Sequence, residues 1–149
     1  MPRKTSVWGT LLVVAPFAFA ACSSDDPAAP DPNPPPPARV ILANPSFATN
    51  IVEIFNRAGC TSGNCHGNGA GGMTLGTAAV SFASLVNIAS PNCAGETRVI
   101  PNDAANSYLL KKVLGTQACG ARMPLGGGAL DATDIGNITN WINTGALNN

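Results

Sequence analysis

A chain of 149 residues with 5% aromatic and 11% charged residues, but 16 glycines and 13 prolines, has room for one small domain with a modest core and many loops. Formal net charge is zero, and losing Arg3 and Lys4 with an export signal leaves six basic against eight acidic residues, which argues against a nucleic-acid partner on electrostatic grounds. A core this small gains from a cross-link or a bound cofactor.

Arg3 and Lys4 precede an apolar stretch from Val7 to Ala21, too short to span a bilayer and of the length of a signal-peptide core. Residues 1–21 are expected to be removed on export. Phe19-Ala20-Ala21-Cys22 resembles the lipobox of bacterial lipoproteins, in which the cysteine is acylated and becomes the first mature residue, with Phe19 in place of the usual Leu. Ala18-Phe19-Ala20 also satisfies an ordinary small-x-small cleavage site. Cysteine count favours the lipobox: the chain has five, and if Cys22 carries lipid the remaining four can all be used. The Pro-rich run from Ser23 to Ala38 has little to bury and reads as an extended spacer of about 50 Å. Residues 22–44 are thus expected to be lipidated cysteine and tether, and residues 45–149 the domain.

Between Pro45 and Gly59, Phe47, Ile51, Ile54, Phe55 and Ala58 recur at helical spacing, with Asn44-Pro45 suited to the start and Gly59 to the end. A Gly-rich loop from Cys60 to Gly76 follows, in which no regular element is expected. Residues 78–87 read as a short helix in preference to a strand. The next helix is expected over Asp103 to Leu114, with Asn102 or Asp103 as cap and Gly115 as terminator. The last runs from Ala132 to Thr144, capped by Asp131, burying Ile135, Ile138, Trp141 and Ile142 and ended by Gly145. Arg39 to Leu42 and Arg98 to Ile100 can add short extended pieces. The class is mainly α. The adjacent Lys111 and Lys112 read as a solvated helix face more than as a docking spot for an acidic redox partner.

The chemistry concentrates in Cys60-Thr-Ser-Gly-Asn-Cys65-His66-Gly67. Covalent haem attachment needs two thiols to add to the two vinyl groups of the porphyrin, and an imidazole directly after the second thiol to reach the iron. Cys60, Cys65 and His66 supply these groups at C-x4-C-H spacing instead of C-x-x-C-H, and Thr61 to Asn64 can form the turn that absorbs two extra residues. Gly67, Gly69, Gly71 and Gly72 let backbone approach a flat ligand closely. Arg122-Met123-Pro124 lies between this motif and the last amphipathic helix, where a sulfur can approach the other face of the iron.

With these features the stretch from about Pro45 to Asn149 resembles a class I cytochrome c domain of the kind found in exported bacterial lipoproteins. The resemblance implies a small cytochrome c-like helical domain with long loops around one haem c. It makes Cys60 and Cys65 the thioether attachments, His66 the proximal ligand and Met123 the distal one, and places Trp141 in the helix that meets the first helix. The widened cysteine spacing is the chief departure. Elimination among thioethers and imidazoles also favours Met123, with a lysine, Asn or water as the rival sixth ligand: His66 is the only histidine, Met1 leaves with the signal, and Met73 lies in the same loop as His66.

Cys93 and Cys119 lie outside the haem pattern and read as a disulfide in an oxidising compartment. Two alternatives use the same residues differently. In one, Cys60 and Cys65 form a second disulfide and the chain is a haem-free, disulfide-stapled envelope lipoprotein with a binding or structural role. In the other, three cysteines and His66 hold zinc, which needs free thiolates outside the cytoplasm. No second histidine, interpretable carboxylate pair or phosphate-binding loop points to an enzyme. The expected function is single-electron transfer by an exported, membrane-anchored protein, with a redox partner protein on one side and lipid on the other. A narrower version has the domain feed electrons to one specific oxidase or dehydrogenase.

Overall fold

A computed structural model describes residues 38–149. The signal segment, Cys22 and nearly all of the Pro-rich tether lie outside the described residues. The described residues are mainly helical: a π-helical turn Phe47–Ile51 runs into α1 (Val52–Arg57), and α2 (Ala78–Leu85), α3 (Tyr108–Leu114) and α4 (Ala132–Asn143) follow.

The first helix forms where its periodicity places it, but two residues later than Asn44-Pro45 suggests. Ser46 precedes it, and its first N–H groups are satisfied from far away: Phe47 N–H donates to the Asn149 side chain at 2.9 Å and Ala48 N–H to the Asn149 main-chain oxygen at 2.9 Å. The helix buries Phe47, Ile51, Ile54 and Phe55. Phe47 is the hub of the core, with ring centroids 4.9 Å from Trp141, 5.3 Å from Phe82 and 6.5 Å from Phe55. The contact between Phe47 and Trp141 joins the first helix to α4.

In α4 the Asp131 carboxylate accepts the Asp134 N–H at 3.0 Å, the expected cap, and Ile138, Trp141 and Ile142 are fully buried while Ile135 is only half-buried. In α2 the Thr77 hydroxyl caps by accepting the Val80 N–H. The stretch 103–107 differs from expectation, since α3 starts only at Tyr108. Asp103 spends its carboxylate on a local turn, accepting both the backbone and side-chain N–H groups of Asn106 at 3.1 and 2.7 Å. Asn102, at φ 66°, is in the left-handed region and cannot lead directly into a helix. The helix ends at Gly115 as expected.

Neither extended piece becomes part of a sheet. Val99 and Thr97 make only isolated bridges, to Val86 and Ala89. Residues 39–42 lie along α4, where the Asn137 side chain donates to the Val40 carbonyl at 3.0 Å and accepts the Leu42 N–H at 2.8 Å, and the Asn140 side chain donates to the Leu42 carbonyl at 2.7 Å. Arg39 continues the attachment by pairing with Asp131 and Asp134, and the buried Asp134 carboxylate also accepts from Arg57 of α1. The Arg57 guanidinium is pushed above its ordinary pKa, first by its hydrogen bond to Asp134 and then by Glu53. No helix among the described residues is long and apolar enough to cross a membrane.

Candidate functional site

The route from α1 to the cysteine motif is a sequence-encoded helix stop. Gly59 takes φ 74°, its N–H donates to the Asn56 carbonyl at 3.1 Å, and the Cys60 N–H donates to the Phe55 carbonyl at 2.8 Å. This paired arrangement needs a residue free to be left-handed at position 59 and fixes Cys60 as the next residue.

From there the chain doubles back. The His66 N–H donates to the Cys60 carbonyl at 3.1 Å and the Gly67 N–H to the Ser62 carbonyl at 3.1 Å, so the four residues between the cysteines close as a turn. A Cβ at position 67 would collide with the carbonyl oxygens of Thr61 and Ser62. The loop is not devoid of regular structure as expected: two 3-10 turns, His66–Asn68 and Ala70–Gly72, follow the motif. Short-range glycine-rich turns of this kind leave no periodic apolar signal in the sequence.

These turns orient the one imidazole. His66 Nδ1 lies 2.7 Å from the Ala70 carbonyl oxygen, so Nδ1 carries the proton and Nε2 keeps its lone pair. His66, Cys60 and Met123 all line one mainly apolar cavity of about 320 Å³, walled also by Phe55, Leu75, Leu85 and Val113. That volume falls within the usual range for small-molecule sites. Cys65 does not line the cavity; it is half-buried and close enough to add to the rise in the Cys60 pKa, whose main cause is burial of the Cys60 thiol. Cys60 and Cys65 are free thiols. Met73 lines the same cavity, so two thioethers face it.

Cys93 and Cys119 are bonded, with Cα atoms 5.8 Å apart. Cys119 lies in the loop that brings Met123 to the cavity, and α3 holds that loop at three further points. Tyr108 Oη donates to the Cys119 carbonyl at 2.6 Å, the Lys112 ammonium donates to the Ala121 carbonyl, and the Met123 N–H donates to the Lys112 carbonyl at 2.9 Å. Tyr108 and Lys112 were not visible as site residues in the sequence. They are also why the solvated-face reading of the lysine pair is corrected: Lys111 pairs with Glu96 at 2.8 Å, and Lys112 turns toward the Tyr108 ring and lines the cavity. Burial pushes the Lys112 pKa down.

Arg98 is the other residue missed by sequence reading. It is 7% exposed, lines the cavity, and donates to the carbonyls of Ser84 and Gly72 at 2.7 Å each. A charged residue between Thr97 and the apolar pair Val99-Ile100 was the available signal.

The donor chemistry suits an iron porphyrin. An imidazole with a free Nε2, thioether sulfurs, two free thiols beside the histidine and apolar walls are the groups that ligate, attach and desolvate one. Zinc suits it less. With Cys93 and Cys119 bonded to each other, the third thiolate of a three-cysteine site is gone, and among the described residues no group of three or more His, Cys, Asp or Glu is gathered for a metal ion. No protein-family model, curated protein or solved structure matches the chain.

Proposed function

We propose that residues 45–149 carry one haem c and pass single electrons in the bacterial cell envelope, as a carrier and not as an enzyme. The observation that carries this reading is the arrival of Cys60, His66 and Met123 at one apolar cavity, with His66 Nδ1 engaged by the Ala70 carbonyl. When bound, haem iron supplies a centre that gains and loses one electron. His66, oriented by its contact with the Ala70 carbonyl, would hold the iron through Nε2 as the proximal ligand. Cys60 and Cys65 would hold the porphyrin through thioethers, each thiol forming an S–C bond to a vinyl group with its proton going to the neighbouring carbon, so that no oxidant or reductant would be consumed. Met123 would hold the iron through its sulfur as the distal ligand. With His66 and Met123 both holding the iron, the chain would leave no place on it for a substrate.

The bonded pair Cys93 and Cys119 supports export, because disulfides persist in oxidising compartments. The proposed location is therefore the envelope, with Cys22 lipidated in the membrane and the domain facing the periplasm or surface toward a redox partner protein. The haem-free alternative gains nothing from Cys60 and Cys65, which are not bonded to each other.

The test is expression in a host with cytochrome c maturation machinery, followed by haem staining of the denatured protein and intact mass. Wild type should gain the mass of one haem and His66→Ala none. A wild type of unmodified polypeptide mass under those conditions sinks the reading.

A further inference from the structure

We propose that Arg98, with Asn92 beside it, is the carboxylate-binding site of this cavity, so that the cavity selects a ligand bearing anionic side groups. The inference rests on the haem reading and deepens it, since haem carries two propionate carboxylates.

A guanidinium has five N–H donors, and the two acceptors of Arg98, the Ser84 and Gly72 carbonyls, are neutral. The charge is therefore anchored but not balanced. Among the described residues the ion pairs engage Arg39, Arg57 and Lys111, and Arg98 takes part in none. No Asp or Glu lines the cavity; its charged and titratable groups are Arg98, Lys112, Cys60, His66 and Tyr108. Burying a cation without a counter-charge is costly, and burial accordingly pushes the Arg98 pKa down. An anion entering the cavity removes that cost.

Placement agrees with this. Arg98 Nη2 and the Pro91 ring both flank Gly72, while Asn92 Nδ2 and the His66 ring both flank Gly71. Arg98 and Asn92 thus both line the cavity beside adjacent glycines of the histidine loop. The remaining N–H groups of Arg98 and the Asn92 amide can together receive a carboxylate, a charge-assisted contact that a neutral flat ligand cannot make. The two carbonyl bonds hold the guanidinium in place beforehand, which reduces the entropy lost when the anion arrives.

The experiment titrates the full chain, made without maturation machinery, with iron protoporphyrin and with its dimethyl ester, comparing wild type, Arg98→Gln and Arg98→Lys. Wild type should prefer the diacid by about tenfold or more. Arg98→Gln should lose that preference through weaker binding of the diacid while binding of the ester is unchanged, and Arg98→Lys should keep part of it. Equal binding of diacid and ester by wild type overturns the inference even if Arg98→Gln fails to fold. An unchanged preference in Arg98→Gln also overturns it and leaves Arg98 as a cross-link between Gly72 and Ser84. A wild type that binds neither porphyrin overturns this inference, while the haem reading stands or falls on the mass of protein made with maturation machinery.

Discussion

His66 Nδ1 stands 2.7 Å from the carbonyl oxygen of Ala70, four residues further along the same loop. The contact is to backbone, so the orientation of the imidazole depends on the path of residues 60–72 and not on any partner side chain. Anything that moves this path moves the histidine.

Gly67 gives the direct test. Its position leaves no room for a Cβ against the Thr61 and Ser62 carbonyls, whereas a Cβ at Gly76 meets nothing. Gly67→Ala should cost about 1–3 kcal/mol of stability and, on the proposed haem reading, lower the yield of loaded protein, while Gly76→Ala stays within about 0.5 kcal/mol. Chemical denaturation of both variants checks the contrast.

Met123 and Met73 both face the cavity. If Met123 is the distal ligand, the weak sulfur-to-iron charge-transfer band of the oxidised protein disappears in Met123→Ala and persists in Met73→Ala. The visible and near-infrared spectra decide it, and loss of the band only in Met73→Ala reverses the assignment. The reduction potential of Met123→Ala should fall, because the thioether raises it.

The Cys93–Cys119 bond spans a sequence separation of 26 residues. Chain-entropy estimates give a loop of this size about 3.5 kcal/mol of stabilisation. The paired variant Cys93→Ser/Cys119→Ser should lose up to that amount in urea unfolding. Non-reducing peptide mapping of exported wild type should recover a single linked peptide pair.

Asp131 lies below its ordinary carboxylate range, first because it accepts the Asp134 N–H and next because of Arg39. The folded state therefore binds this proton less readily than the unfolded state does. Its contribution is complete above about pH 4 and is lost as the pH falls through the lowered folded value. Asp131→Ala should lower Tm by a few degrees at pH 7, with the difference from wild type shrinking in acid. A difference that grows in acid contradicts the role of the carboxylate.

What the sequence made legible was local. The cap at Asp131 and the stripe Ile138, Trp141, Ile142 announce α4, and Cys60, Cys65 and His66 announce themselves through adjacency. The start of α3 was misplaced because Asp103 is as good a cap for a turn as for a helix, and only the left-handed Asn102 separates the two. Arg98, Tyr108 and Lys112 act on residues brought near by folding: Gly72 lies 26 residues from Arg98, and Cys119 lies 11 from Tyr108. Such partners follow no periodicity that a linear reading can use.

The bonds from Ser46, Phe47 and Ala48 to Asn149 span about a hundred residues, and they impose an order of events on a chain that emerges N-terminus first. The helix leading into Cys60 cannot acquire these caps until residue 149 has emerged, and a helix this short is marginal without them. Throughout that interval Cys60, Cys65 and His66 have already emerged while the fold that would enclose them is incomplete. On the proposed haem reading, the interval in which residues 67–149 follow His66 is when both thiols stand open to attachment, before the cavity forms over Cys60.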